Sequence, residues 1–94
     1  MSKNILIVNA NYYQDISSGL LKSALKALPK QHKIKIVNVT GVFEIPVTIS
    51  KNLKKFDAFI ALGCVIKGQT PHFDFISQAS TEAIMKLSIK SKKP

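Results

Sequence analysis

The sequence contains no arginine and no tryptophan, a single cysteine, only five acidic residues and no long hydrophobic run. Each absence excludes something. Without arginine there is no planar guanidinium fork to grip a guanine edge or a phosphate through two bonds. The basic residues are fourteen lysines, and they leave a formal net charge of +9. That surplus excludes an acidic disordered tail and leaves anionic partners open. Aromatic residues make up 7% and do not alternate with the lysines, as they do in a platform that stacks single-stranded bases. The lysines are scattered along the sequence, with a modest cluster at Lys86, Lys90, Lys92 and Lys93. A solvated surface is therefore favoured over a nucleic-acid footprint, and no nucleic-acid partner is expected. Cys64 alone cannot form an internal disulfide or a multi-cysteine zinc site. His32 and His72 are too far apart in sequence to suggest a ligand pair, so no metal is expected. The longest apolar run, residues 58–66, is broken by Gly63 and falls short of the roughly 20 residues a membrane-crossing helix needs. The apolar run at residues 5–8 is too short for a signal-peptide core. A cytoplasmic protein with no membrane partner is the expectation.

The 94 residues are 46% apolar, enough for one small domain spanning 1–94, though a chain this short has a thin stability margin unless it oligomerises. Residues 5–8 form a continuous β-branched-rich run that predicts a strand buried on both faces, and residues 9–15 read as a loop. From Ile16 the spacing changes: Ile16, Leu20, Leu21, Ala24, Leu25 and Leu28 fall at helical intervals, with Asp15 or Ser17 as cap and Pro29 as stop. Residues 34–39 predict a second strand. Residues 41–55 alternate like a strand, but Pro46 lacks the N–H a central strand needs and suits the first turn of a helix, so a helix is expected. Residues 57–66 predict the third strand. Phe73, Ile76, Ala79, Ala83, Ile84 and Leu87 predict a third helix, followed by a polar tail at residues 88–94. This β-α-β-α-β-α order implies parallel strands joined by right-handed crossovers, with helices on both faces of the sheet. The chain reaches Lys-Lys-Pro where the next strand of such a pattern is expected.

In an open sheet of this kind, ligands bind beyond the carboxyl ends of the strands. Three loops meet there: residues 9–15, 40–44 and 67–74. In the third, Gly68, Gln69 and Thr70 precede a helix whose free N–H groups and dipole favour an anion, although Thr70 also reads as a plain helix cap. His72 lies in the first turn of that helix. There the dipole disfavours the imidazolium and leaves a neutral ring able to exchange protons, or simply a surface histidine. Glu44 follows Gly41 at the mouth of the second strand. It is placed either to accept hydrogen bonds from a polyhydroxylated ligand or to favour a helix N-terminus. Tyr12 and Tyr13 offer an aromatic face for a flat heterocycle, or packing against neighbouring loops. Cys64 reads by default as a buried, inert thiol, and His32, in a basic turn, as chemically inert.

Three motifs carry a family resemblance. They are Ala61-Leu-Gly-Cys-Val-Ile-Lys-Gly-Gln-Thr-Pro-His-Phe-Asp-Phe75, Gly41-Val-Phe-Glu-Ile-Pro46 and Val8-Asn-Ala-Asn-Tyr-Tyr13. In this order and over essentially the whole chain, they resemble the lumazine synthases, transferases of riboflavin biosynthesis. The resemblance implies a three-layer α/β/α flavodoxin-like parallel sheet, truncated here after the third β-α unit. It implies a condensation of 5-amino-6-ribitylaminouracil with 3,4-dihydroxy-2-butanone 4-phosphate to give 6,7-dimethyl-8-ribityllumazine, without any cofactor. By motif, Tyr12 takes the place of the aromatic that stacks on the pyrimidine. Val42, Phe43 and Glu44 match the segment that holds the ribityl chain. Cys64, Val65 and Ile66 match the strand end lining the pyrimidine pocket. Gln69 and Thr70 match the phosphate cradle, and His72 the proton-transfer residue. Asn11 stands where the family often has Arg, and Tyr13 where it often has Asn. The family's C-terminal part supplies an aromatic wall of the pocket and a phosphate-gripping arginine, so an inactive ligand-binding or assembly module is the alternative. Family members form pentamer-based homo-oligomers with sites between subunits, and riboflavin synthase is a candidate protein partner.

Overall fold

Ile5, Leu6, Ile7 and Val8 occupy the middle of the first strand, β1 (Asn4–Ala10). The computed structural model describes residues 2–66 and 72–94, with His72 and Phe73 described by their backbone alone. β1 lies between β2 (Lys33–Val39) and β3 (Ala58–Leu62) in the sheet order β2-β1-β3, and both pairings are parallel. Ile7 sits opposite Ile36 on one side and Ile60 on the other. This central position explains the apolar run: every β1 residue from Ile5 onward is buried, as a strand covered on both faces must be.

Three helices cover the sheet: α1 (Gln14–Ala27), α2 (Ile45–Asn52) and α3 (His72–Ser91). The chain crosses from β1 to β2 in one direction and from β2 over to β3 in the other. Right-handed crossovers therefore put α1 and α2 on opposite faces, and α3 packs against α2. The three-layer parallel α/β arrangement expected from the sequence is the one observed. Leu6, Val8 and Ala10 face Ile45 and Ile49 of α2, and Ile84, Leu87, Phe59 and Val37 close around them.

The element ends differ from expectation in several places, first at β1, which runs on through Asn9 and Ala10 into the stretch read as a loop. Helix α1 begins at Gln14, not Ile16, and neither Asp15 nor Ser17 is its cap. Tyr13 holds the cap position with no side-chain bond, while Ser17 is buried inside the helix with its hydroxyl donating to the Gln14 carbonyl, at 3.2 Å. The 41–55 segment is helical as expected, but Val42–Glu44 forms a 3-10 turn before α2 starts at Ile45, with Pro46 in its first turn. Strand β3 stops at Leu62 rather than Ile66, because its neighbour β1 pairs with it only as far as Asn9. Helix α3 runs through Ser88 to Ser91, into the segment read as a polar tail. It ends where Lys92 adopts a left-handed φ of 59°, the usual helix-stopping conformation.

The other end of the sheet is fastened by side chains. The Asn4 N–H donates to the Asp57 carboxylate at 2.8 Å, and the Lys3 N–H donates to His32 Nδ1 at 3.1 Å. His32 is thus a structural acceptor at the entrance to β1. Beyond β3, the Phe59 N–H donates to the Pro94 carbonyl at 3.0 Å, and the Lys93 ammonium donates to the carbonyls of Leu53 and Phe56.

Parallel strands with helices running back between them give the domain two poles. Lys26, Lys51 and Lys90 lie in the last turns of their helices, where a cation complements the dipole. Lys33 opens β2 at the same pole. Lysines scattered in sequence are thus gathered at the end opposite the strands' carboxyl ends. No helix among the described residues is long and apolar enough to cross a membrane.

Candidate active site

Past the carboxyl ends of the strands, the chain forms a cleft of about 360 Å³ lined by Tyr12, Tyr13, Gly41, Val42, Phe43, Glu44, Cys64, Val65, Ile66 and Ile76. Sites for small molecules generally measure about 300–1,000 Å³. Apart from Ile76 of α3, the cleft is assembled from three segments far apart in sequence, each fixed by the element it leaves or enters.

The first segment continues β1. The Asn11 N–H donates to the Val39 carbonyl at 2.9 Å, one step past the ladder, and the Tyr13 carbonyl accepts from the Ser17 N–H at 2.9 Å as α1 begins. Tyr12 is held between these anchors with 72% of its surface exposed. Its ring meets that of Tyr13 edge-on, with centroids 4.9 Å apart and planes at 78°.

The second segment is the 3-10 turn. The Glu44 N–H donates to the Gly41 carbonyl at 3.2 Å, and the Ser80 hydroxyl, buried on α3, lies 3.5 Å from the Val42 carbonyl. Glu44 is the N-cap of α2 but makes no side-chain capping bond. Its carboxylate folds back over Gly41, so close that a Cβ on Gly41 would stand 3.0 Å from Oε2. Both sequence readings of Glu44 are therefore compatible with its position: an acid at a helix start whose oxygens border the cleft.

The third segment leaves β3 through Gly63. A Cβ there would meet Val42 Cγ2 at 2.6 Å and the Ala10 Cβ at 3.4 Å. Only a residue without a side chain lets the two walls of the cleft approach this closely. Cys64, Val65 and Ile66 then line the cleft instead of extending the strand. Cys64 is a free thiol, half-buried in that wall rather than sealed in the core. Gly63→Ala is expected to displace Val42 at a cost of about 1–3 kcal/mol, and to weaken binding of any ligand resting on Val42. Thermal unfolding and ligand titration of the variant check both effects; unaltered binding would show that the Val42 wall makes no contact with the ligand.

Seven of the residues singled out in the sequence thus border one cleft: Tyr12, Val42, Phe43, Glu44, Cys64, Val65 and Ile66. Gln69 and Thr70 lie outside the described residues, as does the His72 side chain; the His72 backbone opens α3. Tyr13, read in the sequence as an aromatic face beside Tyr12, also lines the cleft, as do Gly41 and Ile76, which had no site role assigned. Ile76 falls on the helical apolar period, so its spacing resembles that of an ordinary core residue. Among the described residues, no three His, Cys, Asp or Glu side chains gather closely enough to hold a metal ion.

A three-stranded parallel sheet covered by helices on both faces defines a flavodoxin-like α/β domain. The chain belongs to the 6,7-dimethyl-8-ribityllumazine synthase family, whose model matches residues 2–94. A Methylobacterium nodulans protein named 6,7-dimethyl-8-ribityllumazine synthase is 39% identical over 98 residues, which cover 96% of this chain and 54% of that relative. A Bartonella tribocorum protein of the same name is 39% identical over 93 residues, covering 95% of this chain and 62% of the relative. A Rhodopseudomonas palustris protein named 6,7-dimethyl-8-ribityllumazine synthase 1 is 40% identical over 100 residues, covering 96% and 60% respectively. The chain therefore spans little more than half the length of these curated relatives.

Proposed function

We propose that this chain carries the pyrimidine-binding side of a lumazine synthase site and takes part in the condensation of 5-amino-6-ribitylaminouracil with 3,4-dihydroxy-2-butanone 4-phosphate. The observation that carries this reading is the convergence of three motif-bearing segments on one cleft. Within it, Tyr12 offers a ring face to the uracil. The Val42–Glu44 turn lies beside the ribityl chain, with the Glu44 carboxylate accepting from its hydroxyls. Cys64, Val65 and Ile66 form the apolar wall under the heterocycle. Gln69 and Thr70, which precede α3 in the sequence, are assigned to the phosphate, since the N–H groups and dipole of a helix start favour an anion. No metal or organic cofactor enters the reading.

The 5-amino nitrogen attacks the ketone carbon, and water leaves to give an imine. Loss of a proton from the adjacent carbon then expels inorganic phosphate. The resulting enol tautomerises to a ketone, the ribityl-bearing nitrogen closes the ring on that new carbonyl, a second water leaves, and the lumazine is released. His72 is the residue assigned to these proton transfers. The family reading also makes the chain a subunit of a pentamer-based assembly with sites at subunit contacts. In support, the cleft residues Phe43 and Ile66 are exposed, as is Phe75 on α3. Riboflavin synthase is retained as a candidate partner of that assembly.

The test is formation of the lumazine from both substrates, followed by its fluorescence, together with titration of the pyrimidine substrate alone. Tyr12→Ala is expected to weaken pyrimidine binding about tenfold, the scale of one lost base–aromatic stack. Saturable binding that falls in this variant supports the reading. An equal affinity in both proteins would remove Tyr12 from the site, and absence of binding in the parent chain would overturn the reading.

A further inference from the structure

Tyr12 presents an unusual problem for a binding residue. Its backbone is pinned on both sides, by the Asn11 N–H on Val39 and by the Tyr13 carbonyl on Ser17, but 72% of its surface is exposed. A ring that projects this far into solvent explores several rotamers, and fixing it on binding costs affinity. Tyr13 is different. It is half-buried, it lines the same cleft, and it stands against Tyr12 at 4.9 Å with the planes at 78°.

We propose that Tyr13 is a positioning residue whose ring steadies Tyr12 edge-on, so that a face of Tyr12 is held ready for the heterocycle. The proposal deepens the pyrimidine-site reading and rests on it. In an edge-to-face pair, one ring points its edge at the face of the other. Whichever ring supplies the edge, at least one face of Tyr12, itself a lining residue of the cleft, is left uncovered by Tyr13. A parallel stack between the two tyrosines would instead compete directly with the ligand. Tyr13 is also the N-cap residue of α1, where its side chain makes no capping bond. Its side chain thus does no capping at that position, which normally favours Ser, Thr, Asp or Asn.

This placement supplies a clean test. Tyr13→Ser provides the missing cap and removes the ring, so the variant keeps its fold while Tyr12 loses its neighbour. Tyr13→Phe keeps the ring and removes only the hydroxyl. The probe is 6,7-dimethyl-8-ribityllumazine, titrated by its own fluorescence into the full chain. The chain has no tryptophan and only two tyrosines, so near-ultraviolet circular dichroism reports chiefly on this pair. Tyr13→Ser is expected to bind the lumazine about three- to tenfold more weakly, with its melting temperature held and its near-ultraviolet band largely lost. Tyr13→Phe is expected to restore binding to within about twofold of the parent, since the ring contact is kept. If Tyr12→Ala weakens binding and Tyr13→Ser does not, the positioning role is wrong while the site reading stands. If Tyr13→Phe binds as weakly as Tyr13→Ser, the hydroxyl and not the ring is responsible, and the proposal fails. If neither Tyr12→Ala nor Tyr13→Ser changes binding, the cleft does not hold the heterocycle through this pair, and both readings fall.

Discussion

An Ile45→Ala variant unfolds at a clearly lower urea concentration than the parent, having lost about 2–5 kcal/mol of stability. Small domains have only about 5–15 kcal/mol in total, so this single change removes a large share. Ile45 is 2% exposed and packs with Leu6, Val8, Ala10 and Ile49 at the centre of the core. Truncation strips away most of the side chain and leaves a void between β1 and α2 that the flanking elements close only partly. The effect reaches the cleft as well, because Ile45 follows directly on the Val42–Glu44 turn and its N–H donates to the Val42 carbonyl. Loss of core packing and loss of ligand affinity should therefore appear together. Urea titration with an unchanged slope and a lowered midpoint is the expected record. A midpoint equal to that of the parent would mean that Ile45 is not the hub of the core.

His72→Asn is expected to slow lumazine formation by about 100-fold or more, the usual contribution of a positioned general acid–base, while pyrimidine affinity stays near that of the parent. His72 is the first residue of α3, and Asp74 lies in the same turn. At the amino end of a helix the dipole disfavours a charged imidazolium, which is why a proton-transfer role is proposed for His72. The reaction needs a proton removed beside the imine before phosphate can depart, and other protons moved as each water leaves. Asn preserves size and hydrogen bonding but cannot exchange protons in this range. A loss confined to turnover would match a proton-transfer role. A loss confined to affinity would make His72 a binding group, and an unchanged rate would remove it from the mechanism.

Much of this was legible in the residues, for identifiable reasons. The run from Ile5 to Val8 could only be a strand buried on both faces, and the alternation of β and α fixed parallel pairing. Pro46 decided correctly for helix over strand, since its missing N–H is harmless in a first turn. The end of β3 was not legible. Cys64, Val65 and Ile66 are apolar because they line a cleft, and period alone cannot separate that from a ladder. Ser88 and Ser91 read as tail residues because they are polar, yet both belong to the helix, border the hollow beside Phe59 and Leu87, and precede Lys92, where the helix stops. Tyr13 was seen as an aromatic but not as the cap of α1, since a tyrosine carries no capping signal. The basic pole was hidden as well: it arises from the parallel topology, which brings strand starts and helix ends together and so adds Lys26, Lys33 and Lys51 to Lys90 of the C-terminal lysine cluster. Lys26, Lys33, Lys51 and Lys90 lie away from the cleft, so their share of the positive charge says little about the ligand.

The most direct test of the account is a map of amide chemical shifts as 6,7-dimethyl-8-ribityllumazine is added to the isotope-labelled chain. The cleft reading predicts saturable shifts centred on Tyr12, Tyr13, Val42, Phe43, Glu44, Cys64, Val65 and Ile66, with little change at the far pole around Lys33 and Asp57. Shifts centred on that far pole, or on the apolar hollow between Phe59 and Leu87, would contradict it, as would a spectrum that the lumazine leaves unaltered.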